Sequence, residues 1–364
     1  MHVNIAILGA GGFVGSHMVE HLLRRGEHEV VCVDLTDEKL KGLPHNGYTF
    51  HRADVRQAPD VVERVIERAD VVVDLIAYAN PSIYVTAPLA VFELNFMQNL
   101  EIARLCMCHG KRLIQYSSAE VYGKARDGSC FSEDRSDSTF GPVRKQRWIY
   151  AVGKLLLEQV LYAHGMAGDL VFTIIRPFNF VGSRLDYLVA PGTMGGPRVF
   201  AHFMSALLTG GPIHLVDGGR VHRAFLHIED ANEAFQTILD NPDRARNEIF
   251  NVGNPANNVT IRELAVLMLE LYEALTGEKA PCELVEVSGE EFYGAGYEDA
   301  DRLPPDITKL KSLGWEPKRD LRTTFADAMA YYLENREREL ANLRAQGNVP
   351  DAVTRSSGHV YAAA

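Results

Sequence analysis

The sequence has no excess of basic residues, no long apolar run and no leader-like beginning. Its 37 Lys and Arg residues are outnumbered by 48 Asp and Glu residues, so the net charge is -11 at pH 7. This balance argues against nucleic acid or an anionic membrane surface as a partner, because both require a basic face. No apolar stretch approaches a membrane-spanning length of about 18 residues, and the N-terminus lacks the charged and apolar regions of a secretory leader. We therefore expect a soluble, cytoplasmic protein that binds neither nucleic acid nor a membrane.

Cysteine is scarce as well, because the chain has only five, an odd number. Their spacing does not match a disulfide framework. Cys106 and Cys108, separated by one residue in an apolar helical pattern, do not have zinc-ligand spacing. We therefore expect reduced thiols and no metal site.

A glycine-rich segment follows the first predicted strand, residues 3–8, and opens an amphipathic helix expected to end near Arg25. Strand, glycine turn and helix in this order are the context in which a dinucleotide-binding motif is credible. Gly9 would permit the tight turn, Gly12 would let a pyrophosphate approach backbone N–H groups, and Gly15 would allow close packing of helix on strand. The segment predicts a dinucleotide site rather than an ordinary tight loop.

An acid, Asp34, ends the second predicted strand and indicates which dinucleotide is bound. Its carboxylate can accept hydrogen bonds from the adenosine ribose hydroxyls and would repel a 2′-phosphate, so we predict NAD rather than NADP. Phe13 and Val14 in the first helical turn, and Val55 after the third strand, complete the expected cofactor contacts. Asp54 either meets the adenine amino group or caps a turn, and the sequence leaves both open.

Apolar strand-like runs alternate with helical patterns through the first half of the chain. The alternation predicts an α/β fold, a Rossmann-type doubly wound parallel sheet with a smaller C-terminal substrate-binding subdomain. We assign residues 1–179 to the NAD-binding domain and 180–340 mainly to the substrate part, with some strands returning to the sheet. Residues 350–364 lack apolar periodicity and are expected to form a flexible tail. Further predicted strands are 71–77, 111–118 and 170–175, and a long helix is predicted over 88–109.

Tyr150 and Lys154 stand four residues apart in a predicted helix and therefore lie on one helical face. A free tyrosine phenol titrates at about 10, too high for a base at neutral pH. A nearby cation would lower that pKa, so that Tyr150 could take a proton from a substrate hydroxyl as its carbon loses hydride. The alternative is an exposed lysine and a half-buried tyrosine on an ordinary helix.

Together these residues resemble the extended short-chain dehydrogenase/reductase superfamily, which contains nucleotide-sugar epimerases, dehydratases and decarboxylases. The resemblance covers residues 3–335 and rests on Gly9-x-x-Gly12-x-x-Gly15, Asp34, Tyr150-x-x-x-Lys154 and Arg176-Pro177-Phe178-Asn179. Within the superfamily the chain is most similar to UDP-glucuronic acid decarboxylases, above all the decarboxylase domain that serves aminoarabinose modification of lipid A, and more distantly UDP-xylose synthases. The segments that carry this closer likeness are Pro142-Val143-x-Lys145-x-Arg147-Trp148-Ile149-Tyr150 and Tyr293-Gly294-x-Gly296-Tyr297-x-Asp299.

The resemblance assigns the chemistry to five side chains. It implies that Tyr150 is the base and that Lys154 supports it and the nicotinamide ribose. Ser118 would hydrogen-bond the sugar O4, and Glu120 would lie by the sugar and take part in decarboxylation or positioning. Arg302 would meet the substrate carboxylate and protonate C5 after carbon dioxide leaves. From the residues alone, Glu120 could instead be an N-cap or a solvated acid, and Arg302 could form weak surface ion pairs.

The resemblance also implies contacts to the UDP-sugar. Arg223 would bind the diphosphate, for which a bidentate guanidinium is well suited, although it could instead pair with Glu229 or Asp230. His214 stands where the family has a lysine on the uridine side. With Arg302, the expected substrate-binding residues are Pro81 and Tyr84 by the sugar, and Asn179, Arg198, His214, Arg223 and Tyr293 by the UDP.

One position departs from the family pattern. Where the decarboxylases read Thr-Ser-Glu, this chain has Ser118-Ala119-Glu120. Because the family serine is given a role in orienting the carboxylate or relaying a proton, Ala119 keeps a UDP-uronic acid 4-epimerase as the alternative activity. A 4,6-dehydratase is disfavoured, since that group pairs an Asp with the Glu at this position. A non-catalytic NAD-binding sensor is disfavoured by the intact Tyr150 and Lys154.

The resemblance thus implies NAD-dependent decarboxylation of UDP-glucuronic acid through a C4-keto intermediate, giving UDP-4-keto-pentose, UDP-xylose or both. It also implies a homodimer, in which helices 88–109 and 148–165 would form a four-helix interface. The alternative is that both helices are buried within one subunit.

Overall fold

The computed structural model describes residues 2–44, 47–126, 130–190, 193–196, 198–295, 298 and 302–347. The predicted tail, 350–364, lies outside the described residues, as do Tyr297 and Asp299 of the decarboxylase-like motif.

Strands and helices alternate along the described chain. The strands are β1 Asn4–Leu8, β2 Glu29–Asp34, β3 Tyr48–Arg52, β4 Val71–Asp74, β5 Arg112–Tyr116, β6 Val171–Pro177, β7 Phe180–Val181, β8 Ile213–Val216, β9 His222–Ala224, β10 Leu226–His227, β11 Glu248–Val252, β12 Asn258–Thr260 and β13 Leu284–Val287. The helices are α1 Phe13–Arg25, α2 Pro59–Arg68, α3 Pro81–Thr86, α4 Pro88–Phe92, α5 Asn99–Cys108, α6 Trp148–Ala167, α7 Val199–Thr209, α8 Ile228–Asp240, α9 Ile261–Thr276, α10 Gly289–Tyr293, α11 Thr308–Ser312, α12 Leu321–Glu334 and α13 Arg336–Gly347.

Seven parallel strands form the central sheet, in the order β11-β6-β5-β4-β1-β2-β3. The order reverses direction at β1 and β4, which is the topological switch point where doubly wound sheets bind ligands beyond the carboxyl ends of their strands. The predicted Rossmann-type fold is confirmed. The remaining strands form three small two-stranded sheets, β7 with β10, β8 with β13 and β9 with β12.

Alternation along the strands divides the core into two layers. On β1, Ile5 and Ile7 face a layer that includes α1, α7, α8, α9 and α12, whereas Ala6 and Leu8 face a layer that includes α2, α5 and α6. Both faces of the sheet are covered, which explains why its strands read as nearly continuous apolar runs. Among the described residues, no helix is long and apolar enough to cross a bilayer.

The strand predicted over 71–77 ends earlier than the sequence pattern indicated. Val71–Asp74 stops before the predicted residue 77, although the Leu75 N–H still donates to the Leu8 carbonyl at 2.9 Å. The chain then leaves the sheet, and the backbone of Tyr78 forms its hydrogen bonds with the Asn95 side chain instead of with a neighbouring strand. The side chain of Asn95 accepts from the Tyr78 N–H at 2.8 Å and donates to the Tyr78 carbonyl at 3.0 Å.

The long helix predicted over 88–109 is present but not uniform. Between α4 and α5, Glu93–Gln98 forms a π-helical segment. This widened turn contains Asn95, the residue that holds the loop after β4. A π-helical turn often marks a functional site, and here it fixes the loop that borders the switch point.

Candidate active site

The glycine loop between β1 and α1 is closely packed against its surroundings. Gly9 has a φ of +91°, a conformation that L side chains rarely adopt. A Cβ on Gly15 would lie 2.3 Å from the Gly9 carbonyl oxygen, and one on Gly11 would lie 2.0 Å from the Thr36 carbonyl oxygen. Sequence reasoning named Gly9 and Gly15 but overlooked Gly11, whose position beside the chain after β2 is a tertiary feature.

The start of α1 suits a bound pyrophosphate. Gly12 is its N-cap, no side chain caps the helix, and its first turn carries no acid. The first-turn N–H groups, which include Phe13 and Val14, are the donors that a helix start presents to an anion. The glycine loop has no room for side chains at Gly11 and Gly15, and the helix start presents N–H donors. Both features fit a bound NAD.

Asp34 lies beside the glycine loop. Its carboxylate accepts from the Gly11 N–H at 2.8 Å and from the Thr36 N–H at 3.3 Å. Burial raises the pKa of Asp34, and these N–H groups partly offset that effect. One acid thus holds the glycine loop to the end of β2, where we propose that it also meets the adenosine ribose.

Asp54 and Val55 lie at the end of β3. The Asp54 carboxylate accepts from the Arg56 N–H at 2.9 Å and from the Arg56 guanidinium at 2.8 Å. Asp54 therefore stabilises a turn in this structure, and a contact to adenine remains a proposal. Val55 is buried, and its carbonyl accepts from the Gln98 side chain at 3.3 Å.

Tyr150 and Lys154 both lie inside the protein on α6. Lys154 is 1% exposed and Tyr150 is buried, so the alternative of an exposed lysine and a half-buried tyrosine is wrong. The Lys154 ammonium donates to the Tyr116 carbonyl at 2.8 Å, at the carboxyl end of β5. The face that the i, i+4 spacing predicted therefore points at the switch point.

The Tyr150 phenol is surrounded by polar and aromatic groups. Its ring stacks on Tyr84, with centroids 4.6 Å apart and planes at 11°. Burial raises the pKa of Tyr150 to about 12, although hydrogen bonds with the Ser118 and Tyr84 hydroxyls and the charge of Arg198 oppose this. The expectation that Lys154 lowers this pKa is wrong for this structure, because desolvation dominates and the ammonium is directed to the Tyr116 carbonyl.

Glu120 is held by two buried arginines. Its Oε2 lies 2.9 Å from Arg147 and 2.6 Å from Arg302, and Arg302 also donates to the Gly123 carbonyl. Burial alone would raise the pKa of Glu120, but Arg147, Arg302 and Arg223 outweigh it and lower the value to about 2. Glu120 is therefore an anion, and neither an N-cap nor a solvated acid.

The neighbours of Glu120 correct two further alternatives. Ser118, not Glu120, caps the short turn Ala119–Tyr122, because its Oγ accepts the Glu120 N–H at 3.2 Å. Arg302 is 4% exposed, so it is not a surface arginine. Arg147 was missed as a site residue, although it stands three residues before Tyr150 in the decarboxylase-like segment.

Arg198 joins the C-terminal part to the glycine loop. It lies 2.7 Å from Asp186 and 5.7 Å from the centre of the Phe13 ring. Its charge lowers the pKa of both Tyr84 and Tyr150 against the raising effect of burial. The glycine loop and the Tyr150 cluster consequently border one cleft.

Arg223 and Asn179 lie on neighbouring segments of the C-terminal part. The Asn179 amide donates to the Ala224 carbonyl at 3.0 Å, and Asn179 has a φ of 27°. Arg223 acts on both Glu120 and Arg302 through its charge. The acids that could have paired with it bind elsewhere, since Glu229 pairs with Arg24 and Asp230 with Arg319.

The remaining predicted substrate contacts gather around Phe292. The His214 ring lies 6.0 Å and the Tyr293 ring 4.8 Å from the Phe292 ring. Pro81 begins α3, whose Ser82 hydroxyl accepts the Gly196 N–H, so α3 touches the loop that precedes Arg198. Pro81, His214 and Tyr293 therefore lie on segments that meet near the loop before Arg198.

Comparison with known proteins agrees with this geometry. The profile of the NAD dependent epimerase/dehydratase family matches residues 5–253. UDP-D-apiose/UDP-D-xylose synthase 1 of Arabidopsis thaliana is 40% identical over 356 residues, which cover 90% of this chain and 91% of that protein. The crystal structure of PbgP3 from Burkholderia pseudomallei is 34% identical with a TM-score of 0.83, over 93% of this chain and 98% of that one.

A more distant solved structure, MoeE5 in complex with UDP-glucuronic acid and NAD, shares the fold. It is 24% identical with a TM-score of 0.72, over 91% of this chain and 99% of that one. The family match spans the glycine loop, Asp34, Tyr150 and Lys154. The chain therefore belongs to the NAD-dependent epimerase/dehydratase family of extended short-chain dehydrogenases/reductases, with NAD as its cofactor and nucleotide-sugar modification as its activity.

Proposed function

We propose that the protein decarboxylates UDP-glucuronic acid through a C4-keto intermediate. The observation that carries the proposal is the cluster of Glu120, Arg147 and Arg302 beside the Tyr150 phenol. A buried guanidinium next to that centre suits a substrate carboxylate, and it could also stabilise the charge that develops when a C4-keto acid loses carbon dioxide. The names of the relatives, which include a UDP-xylose synthase and a protein bound to UDP-glucuronic acid, support the same substrate.

In the proposed reaction, oxidation at C4 comes first. The glycine loop and Asp34 would hold NAD, which would supply the acceptor for the C4 hydride and a positive charge that favours the Tyr150 phenolate. The Tyr150 oxygen takes the O4 proton, and the Ser118 hydroxyl, which opposes the burial effect on the pKa of Tyr150, would position that oxygen. Lys154, whose ammonium donates to the Tyr116 carbonyl, would hold the hydroxyls of the nicotinamide ribose.

Loss of carbon dioxide follows from the position of the new ketone. A C4 ketone is beta to the C6 carboxylate, so the electron pair of the breaking C5–C6 bond is delocalised into the ketone as an enolate. Arg302 meets the carboxylate and then stabilises the enolate oxygen or supplies the C5 proton, while Glu120 holds the guanidinium in direction. Return of the hydride to C4 and of the Tyr150 proton to O4 gives UDP-xylose, and release before that step gives the UDP-4-keto-pentose.

The first prediction is that labelled carbon dioxide is released from UDP-glucuronate carrying carbon-13 at C6. The purified protein is incubated with this substrate and NAD, and gas and nucleotide sugars are analysed by mass spectrometry. UDP-4-keto-pentose, UDP-xylose and UDP-apiose are followed together, because the named relatives form the last two. Label that stays entirely in the sugar contradicts the decarboxylase proposal.

Ala119 favours one competing activity, a UDP-uronic acid 4-epimerase. Ala119 lies at the start of the turn that carries Glu120 and has no hydroxyl to orient a carboxylate or relay a proton. In the same assay an epimerase would give a UDP-hexuronate of unchanged mass that retains the label. The Ala119→Ser variant is the matched comparison, since a faster release of labelled carbon dioxide with serine supports the decarboxylase.

We also propose that two copies associate through α4, α5 and α6. Leu89 is 71% and Met166 68% exposed, and Val152 and Leu156, one helical turn apart, are exposed on α6. The alternative that these helices are buried within one subunit is therefore wrong for these side chains. A second copy that places the same helices against them would cover this apolar face.

The second prediction is that Leu89→Glu combined with Met166→Glu converts a dimer into a monomer. Two charges in a desolvated apolar interface would be unpaired, and such interfaces depend on a few buried apolar side chains. Light scattering after size-exclusion chromatography measures the mass. Val266→Glu, at an exposed valine on α9, is the control that should leave the mass unchanged. A double variant with the mass of the unaltered protein contradicts the interface.

A further inference from the structure

A polar group lies where the sheet is otherwise apolar. Val71 and Val73 of β4 belong to the layer of α1 and α8, whereas Val72 belongs to the layer of α5 and α6. By the same alternation, Asp74 faces α5 and α6. Its register partner on β5 is Gln115, so two polar side chains stand side by side under α6. The proposed mechanism assigns no role to either of them.

The Asp74 carboxylate is fully buried and incompletely hydrogen-bonded. Its Oδ1 accepts from the Ile76 N–H at 2.9 Å, and its Oδ2 has no hydrogen-bond partner among the described residues. Asn99, on α5, donates to the Ile76 carbonyl at 3.0 Å and therefore also packs against the chain just after Asp74. A buried carboxylate with a bare oxygen is unfavourable unless a charge compensates it.

The charge that opposes this cost is Lys154, which, among the described residues, forms no direct ion pair with Asp74 and is linked to it through Gln115 and the Tyr116 carbonyl. The Gln115 amide nitrogen lies 3.4 Å from both the Asp74 and the Tyr116 carbonyl oxygens, and the Lys154 ammonium donates to the Tyr116 carbonyl. Burial raises the pKa of Asp74 to about 6, which Lys154 opposes. Burial lowers the pKa of Lys154 to about 8, which Asp74 opposes, followed by Glu158.

Among the described neighbours of Asp74, only Lys154 carries a positive charge. Glu158, one turn along α6, is paired with the buried Arg176 at 2.5 Å. From α5, the neutral Asn99 amide and the Cys106 thiol belong to the same layer, and the pKa of Cys106 is raised by burial and by Asp74. From β5 the neighbour is the uncharged Gln115.

We propose that Asp74 is a positioning residue for the reaction, the buried counter-ion that keeps the Lys154 ammonium charged and directed at the carboxyl end of β5. The inference rests on the proposed role of Lys154 beside Tyr150 and the nicotinamide ribose. An apolar residue at this position would pack as its neighbours do, and well-packed apolar replacements of buried ion pairs are often as stable. An acid among valines departs from the local pattern, as functional positions do.

The third prediction concerns NAD binding to the Asp74→Asn variant. Without the counter-ion, Lys154 loses its proton at lower pH, and the ammonium no longer holds the ribose hydroxyls. The affinity for NAD is measured by calorimetric titration without any sugar, from weakly acidic to mildly alkaline pH. The pH at which this affinity is lost should be lower in Asp74→Asn than in the unaltered protein by about one pH unit or more. Asn99→Ala, which removes a hydrogen bond from the same layer without changing its charge, should keep the pH dependence of the unaltered protein.

An Asp74→Asn profile that coincides with that of the unaltered protein overturns the proposal. Since NAD binding is measured without substrate, this outcome is independent of whether UDP-glucuronate is decarboxylated. Thermal unfolding of Asp74→Asn, Lys154→Met and the double variant provides a second measurement. If Asp74 and Lys154 interact, Asp74→Asn should lower the thermal stability less in the Lys154→Met background than in the unaltered protein. Stability losses that simply add in the double variant overturn the proposal. If Asp74→Asn alone does not fold, recovery in the double variant supports the pair and continued failure overturns it.

Discussion

Tyr150→Phe is expected to reduce turnover of the nucleotide sugar by roughly 10²–10⁴-fold, the usual contribution of a positioned acid–base group. The Tyr150 side chain is buried and its ring stacks on Tyr84, so phenylalanine keeps the ring packing and removes only the hydroxyl that exchanges the proton. Steady-state rates and NAD titration are measured on the same preparation. NAD affinity should change little, because the substitution leaves Lys154 and the glycine loop intact.

The control is Tyr162→Phe, the same change at an exposed position of the same helix, which should leave turnover unaffected. Undiminished turnover in Tyr150→Phe would remove the proton-transfer role from this residue. A protein that binds NAD equally well with either residue and never turns over a sugar would instead be the NAD-binding sensor considered from the sequence.

Arg302→Lys is expected to slow carbon dioxide release by roughly 10²–10³-fold, as when one donor to a developing charge is removed. The Arg302 guanidinium donates one hydrogen bond to Glu120, at 2.6 Å, and another to the Gly123 carbonyl. A lysine ammonium cannot reproduce this planar arrangement of two donors. The C4 oxidation does not need Arg302, so NADH should still appear. Parallel measurement of NADH absorbance and labelled carbon dioxide separates the two steps.

Arg135→Lys is the matched control, since Arg135 is exposed and pairs with Asp306 at 3.0 Å instead of with Glu120. It should not alter either step. Equal slowing of oxidation and carbon dioxide release in Arg302→Lys would mean that this arginine binds the substrate as a whole and has no particular part in decarboxylation.

The features that the sequence predicted are those encoded over short stretches. Strand, glycine turn and helix follow one another within residues 3–25, and Tyr150 and Lys154 share a face because a helix repeats every 3.6 residues. Asp34 was placed correctly because it ends a strand whose apolar pattern is plain. The element bounds were less accurate where a side chain such as Asn95 takes over the hydrogen bonds of a strand.

The features that it did not predict depend on residues far apart in the chain. Arg147 and Arg302 are 27 and 182 residues from Glu120, and only the tertiary fold brings them together. The pKa of Tyr150 depends on burial, which the Tyr-x-x-x-Lys spacing does not report. Asp74 lies in the middle of the strand predicted over 71–77, and its relation to Lys154 on α6 becomes evident only once the layers are known.

The strand β11 has a consequence for how the chain can be divided. It comes from the C-terminal part, yet it pairs in parallel with β6, with Phe250 opposite Ile175. If the chain were cut after residue 179, β6 would lose its neighbour β11 and become an edge strand. Its unpaired backbone N–H and carbonyl groups would then favour aggregation through pairing with other chains. The two parts of the chain are therefore not interchangeable modules, and a sugar-binding part cannot be traded between relatives without also supplying the strand that seals the sheet.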